Sequence, residues 1–168
     1  MRVVTIALVA WWAGAGCPPV RADEARAPID PLTEVTDPLE VGLFVERHGD
    51  PYVLLRLRSA HPVDTRLAAV RSTPWLREPE RALEELAGLA AGRDPHLAPA
   101  AAWAAHRIAT DLDPSALERR EVTRSELAPA RRRLRRLAED GTARRDLRRL
   151  AAFAEDALGR LHPPADAE

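Results

Sequence analysis

Four Asp-Pro pairs, at Asp37-Pro38, Asp50-Pro51, Asp94-Pro95 and Asp113-Pro114, stand in register with apolar segments and punctuate this chain. At a helix start the pair has a specific physical use. Aspartate accepts hydrogen bonds from the free amides of the first turn, and its charge complements the helix dipole. Proline takes the first helical position, where no amide partner is lost. The apolar material between these marks is chiefly alanine and leucine. Hydrophobic residues make up 46% of the chain but aromatics only 4%. Alanine and leucine favour helices, while β-branched and aromatic strand formers are sparse after the N-terminus. The expectation is an all-α protein of one modest domain with terminal appendages.

The periodicity places the helices. In "EPERALEELAGLAAG", Leu83, Leu86, Leu89 and Ala90 recur at three- and four-residue steps on one face, and Gly92 marks an end. After Asp94-Pro95, Leu97, Ala101, Ala104 and Ile108 form the stripe of a second helix, with Trp103 at its flank. A second pair follows. "RSELAPARRRLRRLAED", with Ser125 as the expected cap, sets Leu127, Leu134, Leu137 and Ala138 inward. "ARRDLRRLAAFAEDALGRL" sets Leu147, Leu150, Phe153, Ala154, Leu158 and Leu161 inward. Leu86 and Leu89 correspond to Leu134 and Leu137 at a spacing of 48, and Leu97, Trp103 and Ile108 to Leu147, Phe153 and Leu158 at 50. Corresponding core positions in two hairpins imply a stacked repeat. Earlier, "DPYVLLRLRSA" and "HPVDTRLAAVRST" read as another helix pair, linked through Pro74-Trp75-Leu76. The alternation in "VLLRLR" also permits a short strand, and "LEVGLFVERHG" is open in the same way.

On the residues "DTRLAAVRSTPWL" and "ERALEELAGLAAGRDPHLAPAAAWAAHRIA", the chain resembles HEAT-like (armadillo-type) helical repeats. The likeness covers Pro62 to Ala109 and, more loosely, Ser125 to Leu161, where an Arg-rich unit lacks the Asp-Pro opening. It implies a short right-handed α-solenoid of stacked antiparallel helical hairpins over residues 38–161. It also implies a scaffold that binds partners, without naming them.

The N-terminus suggests an address. Val3 to Cys17 is uncharged and follows Arg2, too short a run to span a bilayer comfortably but suited to the apolar core of an export signal. Ala15, Gly16 and Cys17 resemble a bacterial lipoprotein lipobox, with Gly14 where such signals usually carry an aliphatic residue. Residues 1–17 are thus a signal peptide with Cys17 as the lipidated residue of the mature protein. A plain cleavage after Ala22 is the second reading. Cys17 is the only cysteine, so an internal disulfide is excluded, and lipidation gives it a use. Residues 18–37 hold four prolines and little that is large and apolar, and read as a flexible tether. Residues 162–168 read as a disordered tail. The localisation expected is the cell envelope, membrane-anchored through Cys17 or soluble after export.

Charge and chemistry narrow the function classes. The formal net charge of -1 hides a basic stretch from Arg119 to Arg149, with twelve arginines against five acids. Arg131, Arg132, Arg133, Arg144 and Arg145 are candidate interaction residues there; a solvated, Arg-coated helix face is the plainer reading. Trp75, in an inter-helix link beside Pro74, is the candidate anchor among the aromatics, although such rings more often fill gaps between hairpins. The five histidines form no HxxxH or HExxH pattern, no Gly-x-Ser-x-Gly elbow surrounds a serine, and no glycine-rich phosphate loop exists. No metal, cofactor or catalytic residue is therefore expected. The function expected is a non-enzymatic, exported interaction module for an envelope protein. The alternative is a peripheral binder of an anionic membrane or glycolipid surface through the Arg-rich helices. Nucleic acid is not an expected partner, because it conflicts with export.

Overall fold

A computed structural model describes residues 29–58 and 60–161. The expected signal peptide, Cys17, the first part of the expected tether and the expected tail at 162–168 lie outside the described residues. Within them the chain is helical, with eight α-helices, three short 3-10 turns and no strand. The helices are α1 (Pro38–His48), α2 (Asp50–Arg56), α3 (Val63–Ser72), α4 (Leu83–Ala90), α5 (Leu97–Asp111), α6 (Pro114–Arg119), α7 (Arg124–Glu139) and α8 (Arg145–Leu161). Both ambiguous stretches are therefore helices, α1 and α2.

Of the four Asp-Pro pairs named above, three act as their chemistry requires. Asp37 accepts from the amides of Leu39 and Glu40, and Asp113 from that of Ser115. Asp94 accepts from His96 and Leu97, one turn ahead of the regular part of α5. Asp50 differs. Its helix opens behind Gly49, which turns the chain at φ +79°, and the carboxylate instead reaches across the fold. It accepts from the amides of Arg77 (3.1 Å) and Glu78 (2.9 Å), closing the link between the 3-10 turns Thr73–Trp75 and Pro79–Ala82. Ser125 is not the cap of α7. Thr123 is, paired with Glu126 in a reciprocal capping box, because the helix begins two residues earlier than a Ser125 cap implies.

The core is an alanine-leucine seam centred on α5. That helix buries Leu97, Ala98, Ala101, Ala102, Ala104, Ala105, Ile108 and Ala109, far more than one stripe, because α3, α4 and α8 all pack against it. Alanine on these faces lets the helix backbones approach closely. Helix α4 pairs with α5, and α7 with α8; α4 also packs on α7, and α5 on α8. Leu83 and Leu86 of α4, Leu134 of α7, and Ala151 and Ala154 of α8 are fully buried at these seams. Phe153, expected inward, is 53% exposed. Leu147, Ala151, Ala154 and Leu158 set the buried line of α8, and Phe153 lies off that line. Its ring leans instead on His106 of α5, with centroids 5.9 Å apart.

The folded body starts before residue 38. Asp30-Pro31 opens a 3-10 turn at Pro31–Thr33 that seats a fully buried Leu32, so the expected tether gives way to packed structure at Asp30. Asp30 accepts from the Leu32 amide, the Tyr52 hydroxyl (3.0 Å) and the Arg56 guanidinium. Burial pushes its pKa up, but these three donors together outweigh that and hold the carboxyl below its ordinary range. Arg56 also lies over the Tyr52 ring, its Cζ 3.2 Å from the centroid. This polar knot ties the first turn to α2.

Candidate functional site

Helices α3 and α5 lie side by side with their N-termini at the same end. Asp94, just before α5, is held below the usual carboxylate range by the Leu97 and His96 amides, and Arg66 in the first turns of α3 adds to it. At the other end Arg107 of α5 reaches Trp75, just beyond α3. Between the two helices, walled on the third side by residues 33–41, runs a cavity of about 570 Å³. That volume falls within the range of small-ligand and peptide-anchor pockets.

The groove is apolar because of helical spacing. Leu67, Ala68 and Arg71 of α3 share one face, followed one turn later by Trp75; Ala100, Trp103, Ala104 and Arg107 share the facing side of α5. Val35, Pro38 and Val41 close the third wall. Trp75 is half-buried and packs against α1 at Gly42, where a Cβ would sit 3.0 Å from the indole Cδ1. Any side chain at position 42 would push the indole. Trp103 is 51% exposed and lies with Trp75 on the lining of one apolar groove rather than alone on the surface.

The charges of the groove are sorted by end. Arg107 stands between the two indoles, its Cζ 5.4 Å from the Trp75 ring and 5.5 Å from the Trp103 ring, within the range of cation–π attraction. Its ion pair with Asp111, at 3.6 Å, is exposed and weak. Arg71 is exposed and has no ion pair among the described residues. Asp64 lies at the opposite end, two helical turns before Arg71, or about 10 Å along α3.

The arginine candidates have a different fate. Arg131 and Arg135 both donate to Glu155 of α8 at 2.8 Å. Burial raises the Glu155 pKa, but the two guanidinium groups outweigh it and leave the carboxyl below its ordinary range. Arg131 lies over Gly159, where a Cβ would sit 2.8 Å from its Nη2. Arg133 lies over Gly88 in the same way and reaches Glu84 of α4 at 2.9 Å. Arg144 pairs with Asp146 at 2.7 Å. Arg132 and Arg145 are exposed and have no ion pair among the described residues. The structure thus divides the sequence candidates. Trp75 enters a groove, Arg131, Arg133 and Arg144 are engaged within the fold, and Arg132 and Arg145 project separately.

Arg71, Trp103 and Arg107 complete the groove, and sequence reading did not assemble them. The signal was present as Arg71-x-x-x-Trp75 and Trp103-x-x-x-Arg107, each a one-turn spacing that puts guanidinium and indole on the same helical side. Elsewhere, Glu80 is buried with Oε2 lacking a hydrogen bond, and its other oxygen meets Arg120 at 3.2 Å. Burial raises its pKa despite that partner. Among the described residues no cluster of His, Cys, Asp and Glu is arranged to hold a metal, and no helix is long and apolar enough to cross a membrane. Compared with known protein families, curated proteins and solved structures, the chain matches none of them.

Proposed function

We propose that this chain is a non-enzymatic, exported interaction module of the cell envelope, anchored to the membrane by lipid on Cys17, that docks a segment of a partner protein in the two-tryptophan groove. The observation that carries the reading is the groove itself: a cavity of about 570 Å³ with Trp103 half exposed and the half-buried Trp75 in one wall. Tryptophan and arginine are the residues most enriched where binding energy concentrates. A lipid with a flexible tether raises local concentration at the membrane, so a modest contact suffices.

The body belongs to this reading as a short right-handed α-solenoid of HEAT-like hairpins. The pairs α4/α5 and α7/α8 meet like-to-like, α4 on α7 and α5 on α8, at the sequence spacings of 48 and 50. Arg131, Arg135 and Glu155 then form the polar outer face that a terminal repeat requires. Two measurements test the proposal. Intact-mass analysis of the mature protein gives a diacyl-modified Cys17; an unmodified chain starting at Asp23 removes the anchor. Co-purification from the native envelope loses the partner with Trp75→Ala/Trp103→Ala and keeps it with Arg131→Ala/Arg133→Ala; the reverse pattern removes the groove from the proposal.

A second reading rests on Arg132, Arg136, Arg145 and Arg149, all exposed and without an ion pair among the described residues. They suit an anionic membrane or glycolipid surface. Liposome binding that fades with salt and is lost on replacing these four arginines is the expected sign.

A further inference from the structure

We propose that the groove recognises the C-terminal end of a polypeptide, with the chain-terminal carboxylate held by Arg71 and Arg107 and the last apolar side chains packed between Trp75 and Trp103. The inference rests on the docking reading above and adds the chemistry of the occupant.

Three observations converge on it. The groove is polarised: its interior is apolar, both of its cations stand at one end, and its only lining acid, Asp64, stands at the other. An apolar segment with a single negative charge at its leading end satisfies that distribution; a segment led by a positive charge meets two guanidinium groups. The cations also stand at the tryptophan end, where the Arg107 Cζ lies 5.4 Å from the Trp75 ring and 5.5 Å from the Trp103 ring. A chain terminus carries its carboxylate on the same residue as its last side chain, so one residue can set an apolar group between the indoles and a charge on the arginines. Finally, the two guanidinium groups meet little competing negative charge. Arg71 has no ion pair among the described residues, and Arg107, beside the two indoles, has the exposed Asp111 at 3.6 Å as its ion-pair partner. Arginine is the side chain whose planar donors match a carboxylate.

The length fits as well. Asp64 and Arg71 are two helical turns apart on α3, about 10 Å, the span of roughly three extended residues. Asp64 then faces the backbone amides of the segment where it enters, and repels one that carries acids upstream.

The test uses the full mature chain and three synthetic peptides in titration calorimetry: acetyl-AVLAL as the free acid, the same peptide as its C-terminal amide, and acetyl-AVLDL-amide with an internal acid. The free acid is expected to bind at least about tenfold tighter than either amide. In Arg71→Gln/Arg107→Gln that preference falls to about one, and in Trp75→Ala/Trp103→Ala all three peptides lose binding. Circular dichroism melts confirm that each variant is folded. Equal binding of acid and amide to the native protein overturns the carboxylate proposal and leaves the docking reading standing. Binding of the internal-acid peptide as tight as that of the free acid overturns the chain-terminus assignment. No binding of any peptide overturns both. Decanoate displacing the free acid at lower concentration than the acid itself requires makes this a small-amphiphile site and also overturns the proposal.

Discussion

The two ends of this molecule spend their arginines in opposite ways. At the C-terminal end, α7 and α8 are the longest helices, of 16 and 17 residues. Three of their guanidinium groups fold back onto the body, Arg131 and Arg135 onto Glu155 and Arg133 across to Glu84, while Arg132, Arg136, Arg145 and Arg149 project into solvent. At the N-terminal end the helices are short. Arg56 closes a knot with Asp30 and Tyr52, while Arg71 and Arg107 line a groove that holds two indoles and is left open. Leu39 and Leu43 of α1 are also exposed there, by 74% and 54%. One end is covered largely by charge, and the other leaves apolar surface without a covering contact among the described residues. An apolar, cation-rimmed groove is the kind of surface that marks an interaction site.

The largest expected effect comes from breaking the charge-covered end from inside. Leu134→Ala removes a fully buried side chain from the α7 seam and is expected to cost about 3 kcal/mol, lowering the melting temperature by several degrees. Trp103→Ala removes a larger side chain from the groove, yet is expected to cost under about 1 kcal/mol, because half of that ring already faces solvent. Thermal melts followed by circular dichroism compare them. A Trp103 variant as damaged as the Leu134 variant would mean the indole holds the fold rather than waits for a ligand.

Next is the knot that ties down the first turn. Asp30→Ala leaves Arg56 and the Tyr52 hydroxyl half-buried without their acceptor, at an expected cost of about 1–3 kcal/mol. The pH dependence has a definite sign. The folded Asp30 carboxyl titrates below its unfolded value, so its contribution is present above the ordinary carboxylate range and is lost as pH falls through the folded value. Asp30→Asn is therefore expected to flatten the acid side of the stability–pH curve. Glu80 has the opposite sign. Its raised pKa gives a contribution that is present at low pH and lost as pH rises through the folded value. Denaturant melts at several pH values read both.

The smallest effect belongs to the exposed pair at the junction of α4 and α7. Arg133→Ala removes the contact with Glu84, both side chains being nearly half exposed, and is expected to cost less than about 1 kcal/mol, shrinking further with salt.

What the sequence disclosed follows from how local each signal is. Helices α4, α5, α7 and α8 were legible because a buried stripe is written at three- and four-residue steps and the Asp-Pro pairs mark starts. The inward face of α8 was read one position too widely at Phe153, since only its neighbours fix how broad a stripe becomes. Asp50 looked like its own helix cap; that it closes the Arg77-Glu78 link instead depends on a contact 27 and 28 residues away. Asp30-Pro31 carries the same cap signature as the pairs beside it, and was hidden by the prolines of the surrounding stretch. The groove was least legible. Trp75 could be singled out alone, but Arg71, Trp103 and Arg107 join it only when α3 and α5 lie in parallel.

The comparison between the two ends is tested most directly by amide hydrogen exchange on the mature protein, free and bound to the partner that the docking proposal expects. The account predicts slowed exchange along the groove, at residues 67–75 and 100–107, with α7 and α8 unchanged. Protection confined to residues 131–149, with the groove exchanging as before, would contradict it.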